Sequence, residues 1–324
     1  MIKVLSGDIG GTKTRLAMVS VTGTKVHIEH EASFSSHSYD TFDALLGAFL
    51  TGLDVPEFSA FGVAGPVQGR VVQTTNLPWF IDADALQRRF GLKHCALLND
   101  LEATACGLPA LGDEDLLTLQ AGARDSEGNR AVIAAGTGLG EAGLFWNGKF
   151  HQPFATEGGH ASFAPSNTLE FALLRYLQQQ YQHVSWERIV SGMGIVDLHT
   201  FLRQYRGVSL PDWLHAEMKA GDEAAAISNA ALKDEICAET MQMFVRLYGA
   251  EAGNLALKVM SRGGIYIGGG IAPKILPLMQ SGEFMESFLN KGRMRPLLEA
   301  MPVKIILNDR AALYGPALRA AEDK

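Results

Sequence analysis

The sequence predicts an α/β protein of two domains, the second larger and richer in helix, and three observations carry that prediction. At 324 residues and 47% hydrophobic content the chain can bury more than one core, and a single compact unit is not the default at that length. A strand, a glycine-rich turn and a returning strand occur near the start of the chain and again from Ala131. Beyond Gly159 the apolar spacing becomes mainly helical, with Leu169, Leu173, Tyr176 and Leu177 on one face. The expected division is a small domain over residues 1–110 and a large one over 111–310, with a closing helix over 311–321 returning to the first.

In the first domain Ile2 to Leu5, Arg15 to Val19 and Val26 to Glu31 read as three successive strands, and Phe42 to Leu50 as a helix. Ser59 to Val63 and Val71 to Thr74 are further strands, and Ala83 to Phe90 is a helix. His94 to Leu98 is a buried strand that stops at Asn99-Asp100, where a helix over Leu101 to Gly107 begins. In the second domain Ala131 to Ala135 is an apolar strand, Gly136-Thr137-Gly138-Leu139-Gly140 a turn and Ala142 to Trp146 the returning strand. Asn147-Gly148 predicts a type I′ hairpin, whose two central residues both take positive φ, ahead of a strand over Lys149 to Phe154. Helices follow through Phe201, Ala224 to Ala231 and Met241 to Ala256. Gly264 to Ile267 is a short strand into Gly268-Gly269-Gly270, Val303 to Leu307 is another, and Ala311 to Ala321 is the closing helix. No low-complexity tract or short-period repeat interrupts this order.

A net charge of −7 argues against a nucleic-acid or membrane-surface partner, because either would repel the average surface. The chain reaches Gly7 and Asp8 before a signal-peptide apolar region could form, and it holds no apolar run of about 18 residues, so a cytoplasmic protein is expected. Cys95, Cys106 and Cys237 are odd in number and widely spaced, which predicts reduced, mostly buried thiols rather than disulfides or a zinc knuckle.

Asp8-Ile9-Gly10-Gly11-Thr12-Lys13 joins two strands, unlike phosphate loops that open a helix. Adjacent glycines let backbone N–H groups converge on phosphate oxygens, Thr12 adds a hydroxyl, and Asp8 offers Mg²⁺ a hard oxygen, directly or through water. The same turn also suits a plain hairpin. Gly136-Thr137-Gly138 repeats the design, and Gly268-Gly269-Gly270 adds a third flexible backbone surface suited to the nucleoside end. Asn99-Asp100 reads first as a helix N-cap, a role that can coexist with an amide and a carboxylate offered at a strand end. Glu157, His160 and Glu187 are ordinary structural residues when read singly, a lone histidine being more often structural and Glu187 a charge in a first helical turn.

Gly7-Asp8-Ile9-Gly10-Gly11-Thr12, Asn99-Asp100, Gly136-Thr137-Gly138-Leu139-Gly140, Glu157-Gly158-Gly159-His160, Glu187-Arg188-Ile189-Val190-Ser191-Gly192 and Gly268-Gly269-Gly270-Ile271 together resemble the bacterial glucokinase family over essentially the whole chain. The resemblance implies two ribonuclease H-like domains of the actin and hexokinase type, closing on ATP and sugar in an interdomain cleft. It implies that MgATP phosphorylates the 6-hydroxyl of glucose with Asp100 as general base, and that Asn99, Asp100, Glu157, His160 and Glu187 bind the sugar. Asp8, Ile9, Gly10, Gly11, Thr12, Lys13, Thr137, Gly138, Gly268, Gly269 and Gly270 would hold the nucleotide, Asp8 also meeting Mg²⁺ through water. A homodimer is implied as well. Lys13 and Asn76-Leu77-Pro78-Trp79 look more like the wider ROK group of sugar kinases and regulators, whose cysteine-rich zinc segment after the Gly-His is missing here, so structural zinc is not expected. Two alternatives stand beside this reading: a kinase for mannose, fructose or an N-acetylhexosamine, and a non-enzymatic sugar sensor. The sensor predicts an N-terminal helix-turn-helix, whereas the first strand here begins at residue 2.

Overall fold

The computed structural model describes residues 1–124 and 126–322. In chain order come β1 (Ile2–Ile9), β2 (Lys13–Thr22), β3 (Lys25–Ser35), α1 (Phe42–Leu50), β4 (Phe58–Val63), β5 (Val67–Gln68), β6 (Val71–Gln73), β7 (Phe80–Asp82), α2 (Ala83–Phe90), β8 (His94–Asn99) and α3 (Asp100–Gly107). The chain continues with β9 (Leu116–Gln120), β10 (Arg130–Ala135), β11 (Leu139–Trp146), β12 (His151–Thr156), α4 (Thr168–Leu177), α5 (Gly192–Arg206), α6 (Asp212–Ala220), α7 (Glu223–Ala230) and α8 (Glu235–Val259). Last are β13 (Gly264–Gly268), α9 (Leu276–Met279), α10 (Glu283–Leu289), α11 (Arg295–Glu299), β14 (Val303–Ile306) and α12 (Ala311–Glu322). Two compact units result, one of Met1–Leu116 with Pro153–Ala155 and the chain from Asn308, the other of Leu117–Gln152 with Thr156–Leu307.

The sheet of the first unit runs β3-β2-β1-β4-β8. Neighbours among β1, β2 and β3 are antiparallel, β4 is parallel to β1, and β8 is parallel to β4. β1 is central and buried on both faces, so its alternating side chains feed two cores. Leu5 and Ile9 join Leu16, Phe42, Leu45, Phe61 and Trp79 on one face. Val4 joins Ala17, Val19, Ala60, Leu313 and Ala317 on the other. The second of these cores is completed by α12, which packs closely on α3 through small residues. A Cβ on Gly315 would fall on the carbonyl oxygen of Ala103, and one on Gly107 would fall on that of Ala311, so only glycine lets the two backbones approach this far. A small antiparallel sheet, β5-β6-β7, carries Asn76 to Trp79 in the turn between its last two strands. Sequence periodicity shows only part of it, because β5 is two residues long.

The second unit holds a six-stranded sheet in the order β12-β11-β10-β13-β14-β9. β10 is antiparallel to β11 and parallel to β13, which is parallel to β14. A meander followed by parallel strands thus recurs, and the helix-rich core gathers around α8, where Met241, Phe244, Tyr248, Ala252 and Leu255 are buried. Asp234 caps the N-terminus of α8, its side chain accepting from the Cys237 N–H at 2.8 Å.

Several elements differ from the sequence expectation. β9 was not expected, since its five residues are only half-buried and show no clean alternation. The hairpin at Asn147-Gly148 is not type I′: Gly148 has φ 93°, but Asn147 is not among the positive-φ residues. The Asn147 side-chain oxygen instead accepts from the N–H groups of Lys149 at 2.9 Å and Phe150 at 3.1 Å, an Asx-type closure that makes left-handed backbone at Asn147 unnecessary. Trp79 is a core residue, 1% exposed, with its indole N–H donating to the Tyr39 carbonyl at 3.1 Å. Cys95 and Cys237 are buried thiols and Cys106 is half-buried. No helix among the described residues is long and apolar enough to cross a membrane.

Candidate active site

The turn between β1 and β2 is shaped by its carbonyls facing inward. Gly10 N–H donates to the Lys13 carbonyl at 3.1 Å, Ser36 N–H to the Thr12 carbonyl at 2.9 Å, and Ser36 Oγ to the Gly10 carbonyl at 2.8 Å. The N–H groups of Gly11 and Thr12 donate to no described residue, which leaves two successive amides for an anion. Ile9 contributes backbone only, its side chain being 1% exposed in the core, while Thr12 and Lys13 are exposed. Asn76 lies against Gly11, close enough that a Cβ there would come within 2.8 Å of the Asn76 Cβ.

Asp8, at the end of β1, is partly buried. Burial pushes its carboxyl above the ordinary range, and the neighbouring Arg15 pulls it back. Arg15 donates to Asp8 Oδ2 at 3.1 Å and to Asp309 Oδ2 at 2.7 Å, so it fixes the orientation of the Asp8 carboxylate. The second oxygen, Oδ1, accepts no hydrogen bond from the described residues, and a hard carboxylate oxygen left open in this way fits a water of hydrated Mg²⁺.

β8 delivers Asn99 and Asp100 to the N-terminus of α3. Asn99 is the N-cap, its Oδ1 accepting from the N–H groups of Leu101 at 3.0 Å and Glu102 at 3.4 Å, while its Nδ2 donates to the Gly65 carbonyl at 3.3 Å. Asp100 opens the helix and accepts the Leu101 N–H at 2.9 Å through Oδ1. A carboxylate at that position is favoured by the positive end of the helix dipole.

In the second unit the Gly136-Thr137-Gly138 turn repeats the first design. Gly136 N–H donates to the Gly138 carbonyl at 2.9 Å and its carbonyl accepts from Gly192 N–H at 2.8 Å, while the N–H groups of Thr137 and Gly138 donate to no described residue. Gly268-Gly269-Gly270 leaves β13 beside the end of β10, with Gly269 at φ 81° and Ile271 N–H donating to the Ala135 carbonyl at 3.3 Å. Tyr248, fully buried, accepts from Ala135 N–H at 3.1 Å and its hydroxyl lies 3.4 Å from the Gly268 carbonyl, so one side chain ties both strand ends that carry these turns.

Glu157, His160 and Glu187 are brought together. His160 Nε2 is 3.8 Å from Glu157 Oε2, and His160 Nδ1 is 3.9 Å from Glu187 Oε1. Glu157 and His160 are well exposed, whereas Glu187 is 21% exposed and uses its other oxygen to accept from Leu139 N–H at 3.1 Å. Glu187 N–H also donates to the Gly159 carbonyl at 2.9 Å. One residue therefore joins the Glu157–His160 loop to the Gly136–Gly138 turn, and a cluster of two carboxylates and an imidazole lies next to open backbone amides within this unit.

Sequence reasoning overlooked Ser36, Arg15, Tyr248 and Glu141. Ser36 and Arg15 carry no motif. Tyr248 reads as one more apolar position of α8, and Glu141 reads as an outward charge on a strand, yet Glu141 is 2% exposed.

The glucokinase family model matches residues 5–323. A glucokinase from Nostoc punctiforme is 44% identical over 339 residues, covering 99% of this chain and 99% of its own. Among solved structures, glucokinase from an Antarctic psychrotroph is 30% identical, with a TM-score of 0.87 and 99% of both chains covered. A ROK family glucokinase from Streptomyces griseus, solved with glucose and AMPPNP, shares the fold at 23% identity and a TM-score of 0.67, with 99% of both chains covered. Matched end to end by that family model and by relatives of this similarity, the chain belongs to the glucokinase family.

Proposed function

We propose that the protein transfers the γ-phosphoryl group of ATP to the 6-hydroxyl of glucose. The observation that carries this reading is the hydrogen bond from Leu139 N–H to Glu187, which couples a polyol-matched set, Glu157, His160 and Glu187, to a glycine turn with open amides. The relatives' name, glucokinase, supplies the sugar and the reaction. The three side chains fix the sugar hydroxyls, each able to give or receive hydrogen bonds as the polyol requires. Asp100 accepts the proton of the 6-hydroxyl as its oxygen bonds to the γ-phosphorus and the bond to the β-γ bridging oxygen breaks, giving glucose 6-phosphate and ADP. Gly11, Thr12, Thr137 and Gly138 offer backbone amides to the phosphates, and Gly268 to Gly270 border the nucleoside end. Asp8 would hold Mg²⁺ through water, and the ion would supply charge neutralisation at the transferring group.

Asn99 acts mainly as the cap that holds Asp100 in place, since its side-chain oxygen is committed to two helix amides; its amide group remains the part that reaches a sugar oxygen. The reading includes a homodimer in the cytoplasm, checked by light scattering against the 34.9 kDa chain mass. A coupled ADP-release assay with glucose, mannose, fructose, N-acetylglucosamine and N-acetylmannosamine tests the reaction. Glucose should lead by kcat/KM; a different leading sugar would correct the substrate, and no turnover with any of them would overturn the kinase reading.

A further inference from the structure

The Glu157–His160 loop rests on a buried carboxyl that the reaction does not use. Glu141 projects from β11 into the interior, 2% exposed, and Glu251 faces it from α8, fully buried. A Cβ on Gly158 would overlap the Glu141 carboxyl and come within 3.3 Å of its Cβ, so this side chain is the floor on which the loop backbone lies. The Glu141 main chain supports the same loop: its carbonyl accepts from Thr156 Oγ1 at 3.0 Å, and Thr156 Oγ1 accepts from Gly158 N–H at 3.2 Å.

We infer that Glu141 is a positioning residue for glucose, its protonated side chain holding the Glu157–His160 loop at the height that sugar binding requires. The inference rests on the sugar-binding reading of that loop. Two carboxyls in contact need a shared proton, because like charges at this range and burial cannot both ionise. Glu251 is the better anion: it accepts from Asn254 Nδ2 at 2.7 Å and Lys258 Nζ at 3.4 Å, and Lys291 lies beyond Asn254. Glu141 Oε1 has no hydrogen-bond partner among the described residues to stabilise a charge, so the proton belongs on Glu141, whose carboxyl then donates to Glu251. Burial first, and then the Glu251 charge, push the Glu141 carboxyl up to about 8, with Lys258 opposing. Tyr248, also on α8, feels the Glu141 charge as well. Ionisation above that range sets two buried carboxylates against each other directly beneath Gly158, and the loop must move.

The test is the glucose KM from pH 6 to 9.5 for the wild type, Glu141→Gln, Glu251→Gln and His160→Ala. The wild-type glucose KM should rise at least fivefold between pH 7 and 9.5. In Glu141→Gln, which keeps a donor and cannot ionise, the rise should stay under twofold, with the ATP KM moving alike in both. Glu251→Gln, lacking the facing charge, should also keep the rise under twofold, because no second carboxylate then opposes an ionised Glu141. A flat wild-type profile overturns the inference even should Glu141→Gln fail to fold, and so does a Glu141→Gln profile that follows the wild type while His160→Ala raises the glucose KM at least tenfold. A His160→Ala enzyme with unchanged glucose KM overturns the sugar-loop reading and this inference together.

Discussion

Asp100→Asn separates chemistry from folding because the two roles of this residue differ in size. As first residue of α3 it accepts the Leu101 N–H at 2.9 Å, and an asparagine oxygen in the same place can accept that bond. What folding loses is the charge at the helix N-terminus, about 0.3–1 kcal/mol for a side chain near the surface. What catalysis loses is the proton acceptor, a factor of roughly 10²–10⁴ in rate, or about 3–5 kcal/mol of barrier. The expected enzyme therefore unfolds within about 1 kcal/mol of wild type in denaturant. It should bind glucose with a KM changed less than threefold and turn over at least 100-fold more slowly in the coupled assay. Asn99→Ala is the converse control: it removes the cap from two helix amides, costing about 1 kcal/mol, and lowers kcat less. An Asp100→Asn enzyme with kcat within threefold of wild type would refute the assignment of the base, whatever its stability.

Tyr248→Phe leaves the buried Ala135 N–H without its partner and should destabilise by about 1–3 kcal/mol while raising the ATP KM more than the glucose KM, read by denaturant melts and initial rates. Gly315→Ala drives a methyl into the Ala103 carbonyl and should cost about 1–3 kcal/mol or more, seen as a lower unfolding midpoint. Glu141 gives a pH signature in stability as well. Its carboxyl is raised from 4.5 to about 8 by folding, so the native state holds the extra proton, and that contribution is complete below 4.5 and lost as pH rises through about 8. The slope reaches at most about 1.4 kcal/mol per pH unit. Thermal melts at pH 5, 7 and 9 should thus show Glu141→Gln gaining on wild type as pH rises; a constant difference would contradict the buried proton.

The parts of the site legible in the sequence were those where local chemistry fixes local structure. Glycine pairs between strands gave the two turns with open amides, and Asn99 at a strand end served as the cap its side chain predicts. Helices over Phe42 to Leu50 and Ala83 to Phe90 match the structure residue for residue, because Thr41 and Asp82 cap their starts and Gly91, at φ 71°, ends the second. Asn147-Gly148 misled for an equally local reason: a side-chain oxygen closed the turn that backbone conformation was expected to close. Long-range pairing was not legible. Glu141 looks like the outward residue of an alternating strand until α8, a hundred residues later, covers it and sets Glu251 against it. Ser36 is another such case, since nothing in its neighbourhood shows that it clamps a turn made more than twenty residues earlier.

The closeness of α12 to α3 has a consequence for how the protein is made. Leu313 and Ala317, which cover Val4, Ala17 and Ala60, are translated long after them. At about 5–20 residues per second, the roughly 250 residues between Ala60 and Leu313 leave that face waiting on the order of 13–50 s. During synthesis the first unit therefore holds one finished core and one open one, and the nascent chain offers chaperones an apolar surface that closes only when α12 arrives.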